Sequence, residues 1–323
     1  MRAGPVQGPR QARVIAGFVF ALCLLSGCVS LPQSAALQHA DGVGLAPRVE
    51  LQTVPFFAQE KYQCGPAALA MALNATGLAI TPEALTDEVY IPGREGSLQV
   101  EMLAAARRHG RLAYALAPEL KDVLAEVAAG NPVIVLQNLG LWAFHPYWHY
   151  AVVIGYDMEK QVMLLHSGSN ARRSMAMGLF EFLWIDGGRW AMVALAPDRL
   201  PASAQEAELA RADAALEKSG ATAEARLAYQ SLLQRWPDNL VALMGLGNTE
   251  YALGWPAAAE AAFRRATLVH PQAAAAFNNL AQVLADQGRL DDALQAARKA
   301  VSLGGPALPV AQATLKQILD QRR

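Results

Sequence analysis

Cysteine is scarce. Among 323 residues only Cys23, Cys28 and Cys64 carry sulfhydryls, too few for a disulfide-built scaffold, and no Cys/His spacing suits a zinc site. Charge is sparse and balanced, with 27 basic against 28 acidic residues and a net charge of −1. Nothing there suggests a nucleic acid as partner, and no motif asks for a metal or other cofactor. The apolar run Val14–Leu25, 12 residues long, is too short to cross a bilayer as a stable helix. What the chain has in quantity is apolar character, 53% against 17% charged. That excludes a disordered or low-complexity protein, and the length suits about two domains.

The N-terminus reads as an address label. Arg2, Arg10 and Arg13 precede the apolar run, which breaks at Ser26-Gly27-Cys28. Basic start, apolar core and small residues make a signal peptide over residues 1–27. Leu25-Ser26-Gly27-Cys28 resembles the bacterial lipobox, which implies acylation of Cys28 as the new N-terminus. An ordinary secretion signal with an incidental cysteine is the alternative. Val29 after the lipidated position points to the outer membrane, facing the periplasm. Residues 28–50 are small, polar and weakly patterned and read as a tether. With Cys23 removed and Cys28 lipidated, Cys64 is the one thiol left, with no intramolecular disulfide partner.

The last third repeats. A shift of 34 residues aligns Gly220, Gly254 and Gly288, then Ala225, Ala259 and Ala293, then Leu209, Leu243 and Phe277, and places Pro237 on Pro271. Small residues let paired helices approach, a glycine turns between them, and a proline ends the unit. The pattern resembles the tetratricopeptide repeat. Three units fit, at about 204–237, 238–271 and 272–305, with an end helix at 306–323. The first unit is degenerate. Stacked helix pairs make a concave surface suited to a peptide or protein partner.

Residues 51–198 are mixed. Gly65-Pro66-Ala67-Ala68-Leu69 opens a helix, with Pro66 in the first turn, where its missing N–H costs nothing. Cys64 therefore sits at a helix N-terminus, where unpaired N–H groups favour an anion; the expectation is a lowered thiol pKa. Helices are predicted at Ser97–Arg108 and Pro118–Ala129, then strands at Pro132–Gln137, His149–Tyr156, Gln161–His166 and Arg189–Leu195. Asp157–Lys160 turns the second strand into the third as a hairpin. Helices followed by an antiparallel sheet make an α+β domain, with an all-α solenoid after it.

His149 opens the central strand after the aromatic loop Leu141–Trp148. A strand-end imidazole facing a helix-terminal thiol can take the thiol proton and pass it to a leaving amine. Alone, the two residues read more readily as an inert buried cysteine and a hydrogen-bonded structural histidine. The wording is more specific. Gln59-Glu60-Lys61-Tyr62-Gln63-Cys64-Gly65-Pro66-Ala67-Ala68-Leu69 and His149-Tyr150-Ala151-Val152-Val153-Ile154-Gly155-Tyr156 resemble the bacteriocin-processing, double-glycine-leader cysteine peptidases of the papain-like group. The resemblance covers roughly Val54–Leu195 and implies a papain-like fold, with Cys64 as nucleophile and His149 as general base. It also implies Gln59 as an oxyanion donor beside the Cys64 backbone N–H; Gln63 is the poorer candidate.

One departure stands out. Where that family places an Asp to orient the imidazole, this chain reads Leu164-Leu165-His166-Ser167-Gly168. His166 and Asn170 are candidates for that role, Asp157 lies at the wrong end of its strand, and a degraded triad is the remaining reading. His145 belongs to the cleft-lining loop with Trp142 and Trp148.

The expected function is a lipid-anchored envelope cysteine peptidase whose repeats hold a substrate or protein partner. An inactive scaffold of an envelope complex and a Cys-His acyltransferase are the alternatives. No transporter segment follows the domain, so resemblance alone does not imply cleavage after a double glycine.

Overall fold

The computed structural model describes residues 31–39, 44–59, 63–140 and 146–323. The expected signal peptide, Cys28, Trp142 and His145 lie outside the described residues.

Helix α1 spans Pro32–His39 and strand β1 Arg48–Glu50. Helices α2 (Cys64–Asn74) and α3 (Pro82–Val89) follow, then a small hairpin of β2 (Tyr90–Ile91) and β3 (Gly96–Ser97). After α4 (Gln99–Arg108), β4 (Leu112–Ala115) and α5 (Leu120–Ala128) come β5 (Val133–Asn138), β6 (Trp148–Asp157), β7 (Val162–Ser167) and β8 (Asn170–Ala176). Helix α6 (Met177–Asp186) and strand β9 (Ala191–Leu195) complete this part. The main sheet is antiparallel in the order β4-β9-β5-β6-β7-β8, with β1 beside the far end of β6.

Both faces of this sheet are covered. Ile134, Leu136, Tyr150, Val152 and Met192 pack beneath α2, α3 and α4. Val133, Val135, Ala151, Val153 and Val193 point the other way, toward α5, α6 and the first helices of the repeats. Double burial explains why β9 and the Val133–Leu136 part of β5 are continuously apolar rather than alternating. It is also why the sequence reads these strands as continuous β-rich runs.

The 28–50 segment is not a free tether over its described part. Glu181, fully buried on α6, accepts the Ser34 and Gln33 backbone N–H groups at 2.7 and 3.2 Å and so caps α1. Backbone pairing of β1 with β6 secures the other end. Both partners are more than a hundred residues away, so no local pattern announced them.

The repeats form antiparallel pairs: α7 (Glu206–Lys218) with α8 (Thr222–Arg235), α9 (Leu240–Ala252) with α10 (Pro256–Val269), and α11 (Ala274–Asp286) with α12 (Leu290–Leu303). Helix α13 (Leu308–Gln321) follows. Gly220, Gly254 and Gly288 turn the chain inside each pair at φ of 89°, 79° and 77°, a left-handed conformation that favours glycine. The approach to the first repeat is fastened to the sheet domain. Glu126 accepts from the Ser203 backbone and hydroxyl at 2.8 and 2.6 Å, and the Tyr114 hydroxyl accepts from Gln205 N–H at 3.1 Å. Leu209, Leu216 and Tyr229 then share one apolar core with the sheet.

Candidate active site

Helix α2 starts at Cys64, and every residue from Gly65 to Leu73 is buried. Small side chains let it lie flat between the sheet and α4. The closest approach is at Gly65, where a Cβ would come within 2.1 Å of Ser97 Oγ. The helix opening thus needs glycine because β3 crosses directly over it.

The Cys64 sulfur lies against the peptide that joins His149 to Tyr150. Burial is the largest influence on its thiol and pushes the pKa above its ordinary value, although the N–H groups of Tyr150, Gly65 and Cys64 itself pull the other way. The expected lowering at the helix N-terminus is therefore overturned: desolvation outweighs the donors.

His149 is buried, with Nε2 2.9 Å from Ser167 Oγ. Its ring stacks near that of Tyr147, with centroids 6.5 Å apart and planes at 10°. Burial, helped by the positive charge of Arg173, pushes the imidazole down to about 4. A thiol at or above its ordinary value and an imidazole near 4 make a neutral pair. Moving the proton from the thiol to the imidazole is therefore unfavourable. Among the described residues no hydrogen bond joins Cys64 to His149. The two side chains line the same groove, of about 1020 Å³, together with Gln59, Ser97, Trp148 and Asp186.

Gln59 acts as a bridge. Its Nε2 donates to the Tyr150 carbonyl at 3.1 Å, its Oε1 accepts from Gly168 N–H at 2.8 Å, and its own N–H donates to the Gly168 carbonyl at 3.0 Å. One amide N–H remains for a ligand. Gln63 turns away, accepting from Thr86 Oγ1 at 3.3 Å.

His166 does not meet His149. Its Nε2 donates to the Val54 carbonyl at 3.2 Å and its ring lies edge-on to Phe56, on the opposite face of β7 from Ser167. The reason is strand alternation, since neighbours on one strand face opposite ways. The cross-strand register brings Ser167 to His149, with shifts between Val153 and Gly155 and between Leu165 and Ser167. Asn170 is exposed at the start of β8, and Asp157 is held at the far end of β6 by Lys160 N–H at 3.0 Å. Ser167 is thus the residue the sequence reading missed. Alternation counted from His166 was its only signal, and that count needed the register. Ser97 was missed as a groove residue too; the Tyr150 hydroxyl holds its carbonyl at 3.1 Å. Among the described residues no cluster of His, Cys, Asp and Glu could hold a metal ion.

Residues 51–185 match the family model described as Peptidase_C39 like, and residues 244–309 match a tetratricopeptide repeat model. The chain carries a C39-like domain followed by tetratricopeptide repeats. A solved C39-like peptidase from Bacillus anthracis is 18% identical, covering 46% of this chain and 97% of that one at a TM-score of 0.38. The Yersinia enterocolitica type III secretion chaperone SycD, solved with a peptide of the translocator YopD, is 18% identical over 36% of this chain and 94% of its own, at a TM-score of 0.34. The first repeat domain of Spaghetti (RPAP3), bound to an HSP90 peptide, gives 18%, 36%, 91% and 0.34 on the same measures. No curated protein matches the chain. In the C39-like domain the nucleophile and base positions read from the sequence lie in one groove, while a serine hydroxyl, not a carboxylate, faces the imidazole.

Proposed function

We propose that this chain is a cysteine-type peptidase of the bacterial envelope, lipid-anchored at Cys28, whose repeats hold a peptide or protein partner. The observation that carries the reading is the placement of Cys64 at the start of α2, against the His149–Tyr150 peptide, inside a groove that both residues line. In the proposed reaction Sγ attacks a substrate carbonyl carbon while His149 takes the thiol proton. The developing oxyanion faces the Cys64 backbone N–H and the spare N–H of Gln59. Collapse breaks the C–N bond, the amine leaves with the proton from the imidazolium, and water hydrolyses the thioester. Because the resting pair is neutral, proton transfer accompanies attack instead of preceding it. Tyr147 and Trp148, both about half exposed, flank the groove and suit an extended peptide.

A second reading, a peptide-binding scaffold without turnover, is favoured by one observation: Arg173, not a carboxylate, is the charge that acts on His149. A mixed peptide library separates the readings. A peptidase generates new termini that disappear in Cys64→Ala and His149→Ala. Amine adducts in place of fragments identify an acyltransferase, and an unchanged library with retained peptide binding identifies the scaffold.

A further inference from the structure

The outer side of α6 carries two large apolar side chains where a helix over a sheet would ordinarily be polar. Leu179 and Phe182, three residues apart and so on one side of the helix, are 49% and 42% exposed. Against them lies α1, whose Pro32, Ala35 and Ala36 are exposed and whose sequence PQSAALQH contains no Asp, Glu, Lys or Arg. The exposed residues of α1 beside this side of α6 carry no charge, and Asp186, exposed one turn beyond Phe182, bounds it. The contact is close: a Cβ at Gly178 would sit 3.4 Å from Leu31 Cδ1. Leu268 on α10, 81% exposed, lies on the repeats, outside this face.

The position of this face in the chain says what covers it. α1 is locked down by Glu181 and by Gln33, whose amide donates to the Pro118 carbonyl at 3.0 Å and accepts from Leu120 N–H. Only two residues separate Leu31 from Cys28, a reach of at most about 10 Å over three peptide links. That is comparable with the depth of one headgroup layer. If the chain is held in a bilayer at Cys28, no slack remains for the domain to stand off, and the nearest surface is the α1–α6 face.

We infer that Leu179 and Phe182 rest in the headgroup region of a lipid bilayer, seating the sheet domain directly on the membrane. This inference rests on the lipid-anchored reading above and not on catalysis. Asp186, one turn beyond Phe182 on the same helix, lines the groove, so the seating brings the groove mouth alongside the bilayer.

The test uses the full chain in vesicles of phosphatidylethanolamine and phosphatidylglycerol, with a benzophenone amino acid replacing Phe182 or, as control, Leu268. Irradiation is expected to give lipid adducts at 182 at least about tenfold more often than at 268. Leu179→Glu should reduce the yield at 182 severalfold while leaving the melting temperature unchanged. Equal yields at both positions, or cross-linking of 182 to a second copy of the chain, overturns the inference. Fatty-acid labelling of Cys28, run in parallel, separates the two failures. Label without adducts at 182 overturns the seating and leaves the anchor; adducts without label support the seating and remove the anchor.

Discussion

His149 Nε2 and Ser167 Oγ lie 2.9 Å apart, both side chains buried. A hydroxyl holds the ring in one orientation but adds no negative charge to stabilise imidazolium. With Arg173 acting in the opposite direction, His149 is held neutral in the groove it shares with Cys64.

Ser167→Asp supplies the missing charge. An opposite charge at this range moves a pKa by roughly one to three units, so His149 should titrate upward from about 4. Histidine NMR titration reads the shift directly, and Cys64 alkylation by iodoacetamide at pH 7 should accelerate severalfold. An imidazole that still titrates near 4 would mean that the new carboxylate pairs with Arg173 instead.

Cys64 itself should be sluggish. With its thiol held above the ordinary value by burial, a smaller fraction is thiolate at pH 7 than in free cysteine. Alkylation should therefore run slower than for free cysteine and keep rising past pH 9. A plateau below pH 8 would contradict the assignment.

Gly65→Ala tests the crossing of β3 over α2. The new methyl would lie 2.1 Å from Ser97 Oγ and 2.6 Å from its Cβ, which forces the helix start or the β2–β3 hairpin to move. Overpacking of this kind costs about 1–3 kcal/mol, measurable in a denaturant midpoint. Gly65→Ala with Ser97→Gly should recover most of that loss.

Asp213 carries a different cost. It is fully buried in α7 with neither carboxyl oxygen partnered, and burial pushes its pKa up to about 8. The neighbouring Tyr229 hydroxyl donates to Glu217 at 2.7 Å and offers it nothing. The folded value lies above that of an unfolded Asp, about 4. The destabilisation is therefore absent at acid pH, grows as pH rises above about 4, and is complete above about 8. Under the 34-residue shift this position is Gly247 and then Ala281, so Asp213→Ala restores a small residue. Its stability gain over wild type should rise from near zero at pH 4 to a few kcal/mol at pH 8. A gain independent of pH would place the effect in packing alone.

Much of the molecule was legible before any coordinates. The repeat register announced itself because each helix pair must present small residues and a left-handed turn at one spacing, and such requirements are local. The hairpin at Asp157–Lys160 and the helix opening at Cys64 were legible for the same reason. Helix α6 was not, because Met177–Asp186 is apolar on nearly every side and shows no helical stripe; its outer Leu179 and Phe182 break the usual pattern. Strand β8 was missed because five of its first six residues are exposed on an edge.

By its sequence alone the chain determined its repeats, its α+β sheet domain and the two residue types that share the groove. Each depends on spacing along the backbone. The tertiary structure decided what those residues can do. Burial raised the thiol and lowered the imidazole, a strand register chose Ser167 over His166 by placing one on each face of β7, and a buried Glu181 turned a supposed tether into a docked helix. These are consequences of what lies alongside in space, and pairings across up to 148 residues leave no mark in a local pattern.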